Sequence, residues 1–191
     1  MKPEELLNAM HVAERLKDTT RHCYTSGGRH EDVAEHSWRM TLMAYFVSDE
    51  FPEADMEKVY KMCLIHDLGE CFTGDIPTFK KTGADEMREE NLLYAWVDTL
   101  PEPFCTDMRA LYDEMAAQQT LEARIYKVMD GLEAVIQHNE SDIATWEPHE
   151  YELNRTYAYD RVAFSPYLRE LREAIRRETE AKIAGAEAKR E

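Results

Sequence analysis

The dipeptide His66-Asp67 sits inside KMCLIHDLGECFTGDIP, in the middle of an apolar run with helical spacing. Burying an imidazole beside a carboxylate costs on the order of several kcal/mol unless both find partners. A second histidine, His36, lies in another apolar helical run, in register with Met40, Met43 and Val47. His66 is in register with Val59, Met62 and Cys63. Each ring therefore projects from the helix face that turns to the core. A fold in which these two helix faces meet would give the polar side chains a shared centre. A core histidine bonded to a carbonyl explains either ring taken singly. Two of them on separate helices, one followed at once by a carboxylate, shift the balance toward a common site for a first-row divalent metal.

The rest of the chain reads as helices. Residues 4–17 carry an amphipathic pattern at Leu6, Leu7, Met10, Ala13 and Leu16. The polar stretch TTRHCYTSGGRHED follows as a loop marked by Gly27-Gly28. Asp32 stands three residues before Glu35, a capping-box spacing that opens a helix to about Ser48. Asp55 is the N-cap expected for the next helix, roughly 56–70, and GDIPTFKKTGADE connects onward. Further helices are expected near 85–99, 104–117, 120–138 and 166–184, with 149–160 ambiguous and the tail GAEAKRE fraying. No run of residues reads as a strand. The expectation is one all-α domain over 1–191, its core at about 4–160 and a C-terminal helix at about 166–184.

At 191 residues the chain is long enough to bury a core without staples. The four cysteines show no CxxC spacing, so a reducing, cytoplasmic setting is expected. The N-terminus MKPEELLNAM has no long apolar core and is not expected to be a signal peptide. No apolar run approaches the roughly 20 residues a bilayer needs, so no membrane partner is expected. The net charge of -16 argues against binding a nucleic-acid polymer. It leaves room for a small phosphorylated substrate, because a metal and a few basic side chains reverse the potential locally.

Other polar residues stay open on spacing alone. Glu70 follows His66 by four and Asp67 by three, near both on a helix. It either handles a water or is a solvated glutamate at a helix end. Asp75, between Gly74 and Ile76-Pro77, is ordinarily a turn residue. Asp130 lies off the main apolar stripe of its helix, sharing a face with Tyr126 and Ala134, which favours exposure. Arg21 has the chemistry of a phosphate anchor, although surface arginines are common. Lys80 and Lys81 read as a solvated loop. His11, His30, His138 and His149 read as surface or structural, and the tryptophans and methionines as core.

The segments EDVAEHS, LIHDLGE, GDIP and MDGLEA together resemble the HD-domain metal-dependent phosphohydrolases. The order His, His-Asp, Asp is that superfamily's signature. The resemblance extends to the small stand-alone subgroup that includes bacterial 5′-deoxynucleotidases and their eukaryotic HD-domain relatives, and covers about residues 4–160. It implies an all-α HD-domain bundle in which His36, His66, Asp67 and Asp130 hold a metal. It implies catalytic or substrate-orienting roles for Glu70 and Asp75, and a phosphate-binding role for Arg21. His22 stands where the bacterial enzymes carry a tryptophan next to the sugar. The implied reaction is hydrolysis of a nucleoside 5′-monophosphate, with another phosphorylated nucleotide or a non-catalytic binding module as the alternatives. Two imidazoles and two carboxylates suit one Mn, Co, Zn, Fe or Ni ion better than Mg. The extra histidines of two-metal HD proteins are missing between the His-Asp pair and Asp130. Members of the subgroup are often homodimers. Leu168, Leu171, Ile175 and Ile183 on the C-terminal helix offer a surface for that, or equally for packing on their own domain, which is the preferred reading.

Overall fold

The structure, a computed structural model, describes residues 1–188. Helix α1 (Pro3–Ala13) runs into a 3-10 turn at Glu14–Lys17. Strands β1 (Thr20–Tyr24) and β2 (His30–Asp32) then pair antiparallel. Helices α2 (Val33–Phe46), α3 (Met56–Ile65), α4 (Glu70–Thr73), α5 (Gly83–Val97), α6 (Phe104–Ala117), α7 (Leu121–Glu140), α8 (Glu150–Thr156) and α9 (Pro166–Glu187) follow. The fold is all-α apart from the hairpin.

The hairpin corrects the expected loop. Its polar sequence hides it, because only Cys23 and Glu31 turn fully inward. Its tip closes through Thr25 N–H to Arg29 O at 2.8 Å and Gly28 N–H to Thr25 O at 3.0 Å. Gly28 sits there at φ +82°, which a side chain would strain.

Helix starts follow their chemistry. Asp32 accepts from Glu35 N–H at 2.8 Å, and Glu35 reaches back to Asp32 N–H at 3.3 Å. Asp55, Thr82 and Thr120 cap α3, α5 and α7. Helix α3 ends earlier than expected. After Ile65 the chain tightens into turns, Leu68 N–H to Ile65 O at 3.1 Å and Glu70 N–H to Asp67 O at 3.0 Å. His66 stands at the helix end and keeps helical dihedrals as the C-cap (φ -56°, ψ -37°), while Asp67 lies in the turn that follows. At the other terminus α9 continues through Glu187 where fraying was expected from Gly185, and residues 189–191 lie outside the described residues.

Helices α2, α3 and α7 pack on one another and make the core. Met40, Met62, Ile125, Val128 and Leu132 there have no exposed surface. Helix α9 lies along α7 and spends Leu168, Ile175 and Ile183 on its own domain. The apolar surface left open lies elsewhere. Leu6, Leu7 and Met10 on α1, and Trp38, Tyr45 and Phe46 on α2, face outward. Trp38 is 63 % exposed, so it is not the core residue its type suggested, and Met10 and Met87 are likewise exposed. Cys63 and Cys71 are free and buried. No helix among the described residues is long and apolar enough to cross a membrane.

This division of faces has a direct test in urea denaturation. Met62→Ala should lower stability by about 2–5 kcal/mol, the usual range for emptying a filled core site. Trp38→Ser, despite removing a larger side chain, should change it by less than about 0.5 kcal/mol.

Candidate metal centre

Each side chain of the centre is fixed by a different local device. His36 sits in the first full turn of α2, behind the Asp32–Glu35 cap, and has no exposed surface. Its Nδ1–H donates to Glu133 Oε2 across the α2–α7 interface. That bond fixes the tautomer and turns Nε2 toward α3. His66 Nδ1–H donates to Cys63 O at 2.9 Å, so its Nε2 also points inward. Asp67 follows in the turn, with Oδ2 3.0 Å from His66 Nε2 and 3.9 Å from His36 Nε2. Asp130 comes from the middle of α7. Its Oδ1 is 3.4 Å from His36 Nε2 and 3.9 Å from His66 Nε2, and its Oδ2 is held by Lys127 Nζ at 2.8 Å. The four residues singled out in the sequence thus converge. Periodicity misjudged Asp130, because the α7 surface it occupies is covered by α2 and the His-Asp turn.

The donor set is short of a cation. His36 Nε2 and His66 Nε2 are buried and make no hydrogen bond, although both lie close to carboxylate oxygens. Glu70 Oε2 is a further orphan. Buried polar atoms left unpaired are unfavourable by about 1–3 kcal/mol each. Two imidazole nitrogens and two carboxylate oxygens pointing at one space fit a divalent transition ion, with the Nδ1 bonds to Glu133 and Cys63 O as the outer bonds that orient such ligands.

The charge states describe an anionic centre that draws positive charge, either a proton on His36 or a metal. Burial and Arg21 oppose a charge on His36, but Glu133 and Asp130 outweigh them and lift its pKa to about 9. Burial works against the Asp67 carboxylate too, and His66 and His36 nonetheless hold it down at about 2. Asp130 is likewise held low against burial, by Lys127 and the two histidines. Burial pushes Glu70 up to about 10, helped by the charges of Asp67, Asp75 and Glu89. A dication beside Asp67 would cancel much of that repulsion. Asp75 follows Gly74 (φ +76°) and is raised by burial, opposed by Arg21.

Arg21, on β1, reaches Glu31 Oε2 at 2.9 Å and Glu133 Oε2 at 3.3 Å, both through Nη1. Arg21 also lines a cavity of about 150 Å³ shared with His22, Phe79, Lys127, Asp130 and Arg161. His22, next on the strand, turns the other way and bonds Glu150 Oε1 at 3.0 Å. Lys81 is paired with Glu89 at 2.8 Å and is not free for an anion.

Sequence reasoning missed Glu133, Glu31 and Lys127. Glu133 carried a signal: it is in register with Tyr126 and Met129, a carboxylate on a face that is otherwise core. Glu31, on the short strand β2, carried none.

The chain matches the family model of the HD domain over residues 13–172 and belongs to the HD-domain family. It is 29 % identical over 186 residues to a Bos taurus protein named 5′-deoxynucleotidase HDDC2, covering 95 % of this chain and 89 % of that one. The Homo sapiens protein of the same name is 28 % identical over 147 residues, 75 % of this chain and 71 % of that one. Among solved structures, a predicted metal-dependent phosphohydrolase from Magnetospirillum magnetotacticum MS-1 superposes with a TM-score of 0.78 at 26 % identity, over 93 % of this chain and 96 % of that one. A conserved hypothetical protein from Pyrococcus furiosus gives 0.70 at 29 % identity, over 90 % and 99 %.

Two measurements test the centre. Glu133→Gln keeps the size of the side chain but weakens its hold on His36, and should reduce metal affinity about 10–100-fold in a competitive chelator titration. The second is pH dependence. In the metal-free fold His36 has its pKa raised from 6.5 to about 9, so its protonated form adds stability that is complete below 6.5 and lost as pH rises through 9. A metal must displace the Nε2 proton. Its apparent affinity should therefore climb about tenfold per pH unit across that window and flatten above it, with proton release visible by calorimetry in buffers of different ionisation enthalpy.

Proposed function

We propose that this protein is a metal-dependent 5′-nucleotidase that hydrolyses nucleoside 5′-monophosphates, the deoxy series included, to nucleoside and phosphate. The observation that carries the proposal is the convergence of His36, His66, Asp67 and Asp130 around two buried, unpartnered imidazole nitrogens, beside a cavity that Arg21 lines. The names of the mammalian relatives and of the Magnetospirillum structure support it.

His36, His66, Asp67 and Asp130 would hold one ion, of the Mn, Co, Zn, Fe or Ni class. When bound, it supplies Lewis acidity, polarising a phosphoryl oxygen and acidifying water. The protein's own groups do the rest. Arg21 presents two remaining faces of its fork to nonbridging phosphate oxygens, while Glu31 and Glu133 hold its base in place. Glu70, buried next to Asp67, positions the attacking water and takes its proton. Asp75, whose carboxyl is raised by burial, gives a proton to the leaving 5′-oxygen. His22 borders the cavity at its Phe79 side, where the sugar would lie. The enzyme would act in the cytoplasm. Self-association would use the exposed apolar residues of α1 and α2, since α9 is committed to its own domain.

The test is phosphate release from ribo- and deoxyribonucleoside 5′- and 3′-monophosphates after chelation and readdition of Mn, Co, Zn or Mg. Metal-restored release from the 5′-monophosphates alone is expected. No release from a folded, metal-loaded protein would overturn the reading. Glu70→Gln should keep metal and lose kcat by roughly 10²–10⁴-fold. Arg21→Lys keeps the charge that Glu31 and Glu133 need but not the fork, and should chiefly raise KM.

A further inference from the structure

Eight residues beyond Asp130 on α7, roughly 12 Å along the helix axis, a second cluster of ligand-type side chains meets. His22 comes from β1, His138 from α7 and Glu150 from the first turn of α8. The donor atoms of the three lie within 4.8 Å of one another. Glu150 Oε1 is 3.0 Å from His22 Nε2 and 3.7 Å from His138 Nε2. Ligand atoms around a tetrahedral zinc stand about 3.3 Å apart, given bonds of about 2.0–2.1 Å. The two separations from Glu150 bracket that value, and all three donor atoms lie within the reach of one ion.

We propose that His22, His138 and Glu150 form a second transition-metal site, for a zinc-class divalent ion, separate from the His36 centre. The alternative is a plain hydrogen-bonded triad, and His138 argues against it. Its side chain is nine-tenths buried, and its Nε2 stands beyond hydrogen-bond reach of the carboxylate it faces. A ring aimed at Glu150 without bonding it leaves a gap that a cation fills. The surroundings hold the set in place. Glu150 Oε2 accepts from Glu147 N–H at 2.6 Å, which orients the carboxylate. Trp146 packs edge-on against the His138 ring and donates to His138 O at 3.0 Å. Phe79 packs edge-on against His22 and shields that side. Burial, foremost, drops the His138 pKa to about 4, so the ring is neutral at physiological pH. Binding would replace the hydrogen bond between His22 and Glu150 with a bond from His22 Nε2 to the ion. Two imidazoles and one carboxylate leave the ion with a net positive charge and an open position on the cavity side.

The experiment reads metal content and spectra, not turnover, so it stands or fails independently of the nucleotidase reading. Full-length protein is stripped with chelator, loaded with Co²⁺ or Zn²⁺, desalted and measured by elemental analysis and visible absorption. A His66→Ala/Asp130→Ala variant, with the other centre disabled, should still hold one ion per chain and show a tetrahedral Co²⁺ spectrum. Adding His138→Ala or His22→Ala should remove that ion. His22 is partly exposed, so its variant keeps a folded protein if His138→Ala does not. Retention of the ion in both additions, or no ion in the His66→Ala/Asp130→Ala protein while it keeps its helical circular dichroism, would overturn the proposal.

Discussion

Between α2 and α7 an imidazole and a carboxylate face each other with no exposed surface on either, and the rest of the centre is arranged around that pair. Breaking a buried pair by removing one partner strands the other, at about 3–5 kcal/mol. The pair is also a positioning device. By accepting from the Nδ1–H of His36, Glu133 decides which nitrogen faces the metal space. The same carboxylate anchors Arg21 at 3.3 Å, so the metal side and the phosphate side of the site share one support. Arg39 approaches its other oxygen at 3.8 Å and continues to Glu140 at 2.7 Å, tying the buried charge to the surface.

The centre concentrates an imbalance that the whole chain shows mildly. Within it, Glu31, Asp67, Glu70, Asp75, Asp130 and Glu133 outnumber Arg21 and Lys127. Burial raises Glu70, Asp75 and Glu31, yet the fold still places them together. Stability alone gives no reason for such crowding, since an apolar packing of similar volume is often as stable. A bound cation gives one, and it also explains how a chain of net charge -16 can attract a phosphate at one spot.

What was legible in the sequence follows from how each feature is encoded. Helices with caps and apolar periodicity were readable, and Asp32 and Asp55 cap as their positions indicate. His36 and His66 were readable because they interrupt apolar faces. Asp130 was not readable from spacing, since its burial comes from what packs over α7. The resemblance to HD-domain proteins supplied it. The hairpin and Glu31 were invisible because a short polar strand has no pattern to read. Trp38 misled for the opposite reason: residue type suggested burial, and none of the described residues covers that side of α2.

The hairpin places Arg21 and His22 on successive positions of β1, in the stretch between Thr20 and Tyr24 where its register with β2 shifts, and both border the cavity while reaching different helices. One meets Glu133 on α7 and the other Glu150 on α8. The strand thus works as a wedge with two unlike edges, each cut for a different slot. A shift of one residue would present each edge to the wrong slot, an imidazole to Glu133 and a guanidinium to Glu150. Length changes in this segment are therefore not equivalent. At the tip, residues 25–29, the chain can grow or shrink while the wedge stays seated. Within 20–24 a single inserted or deleted residue exchanges the two edges and unseats both side chains from their partners.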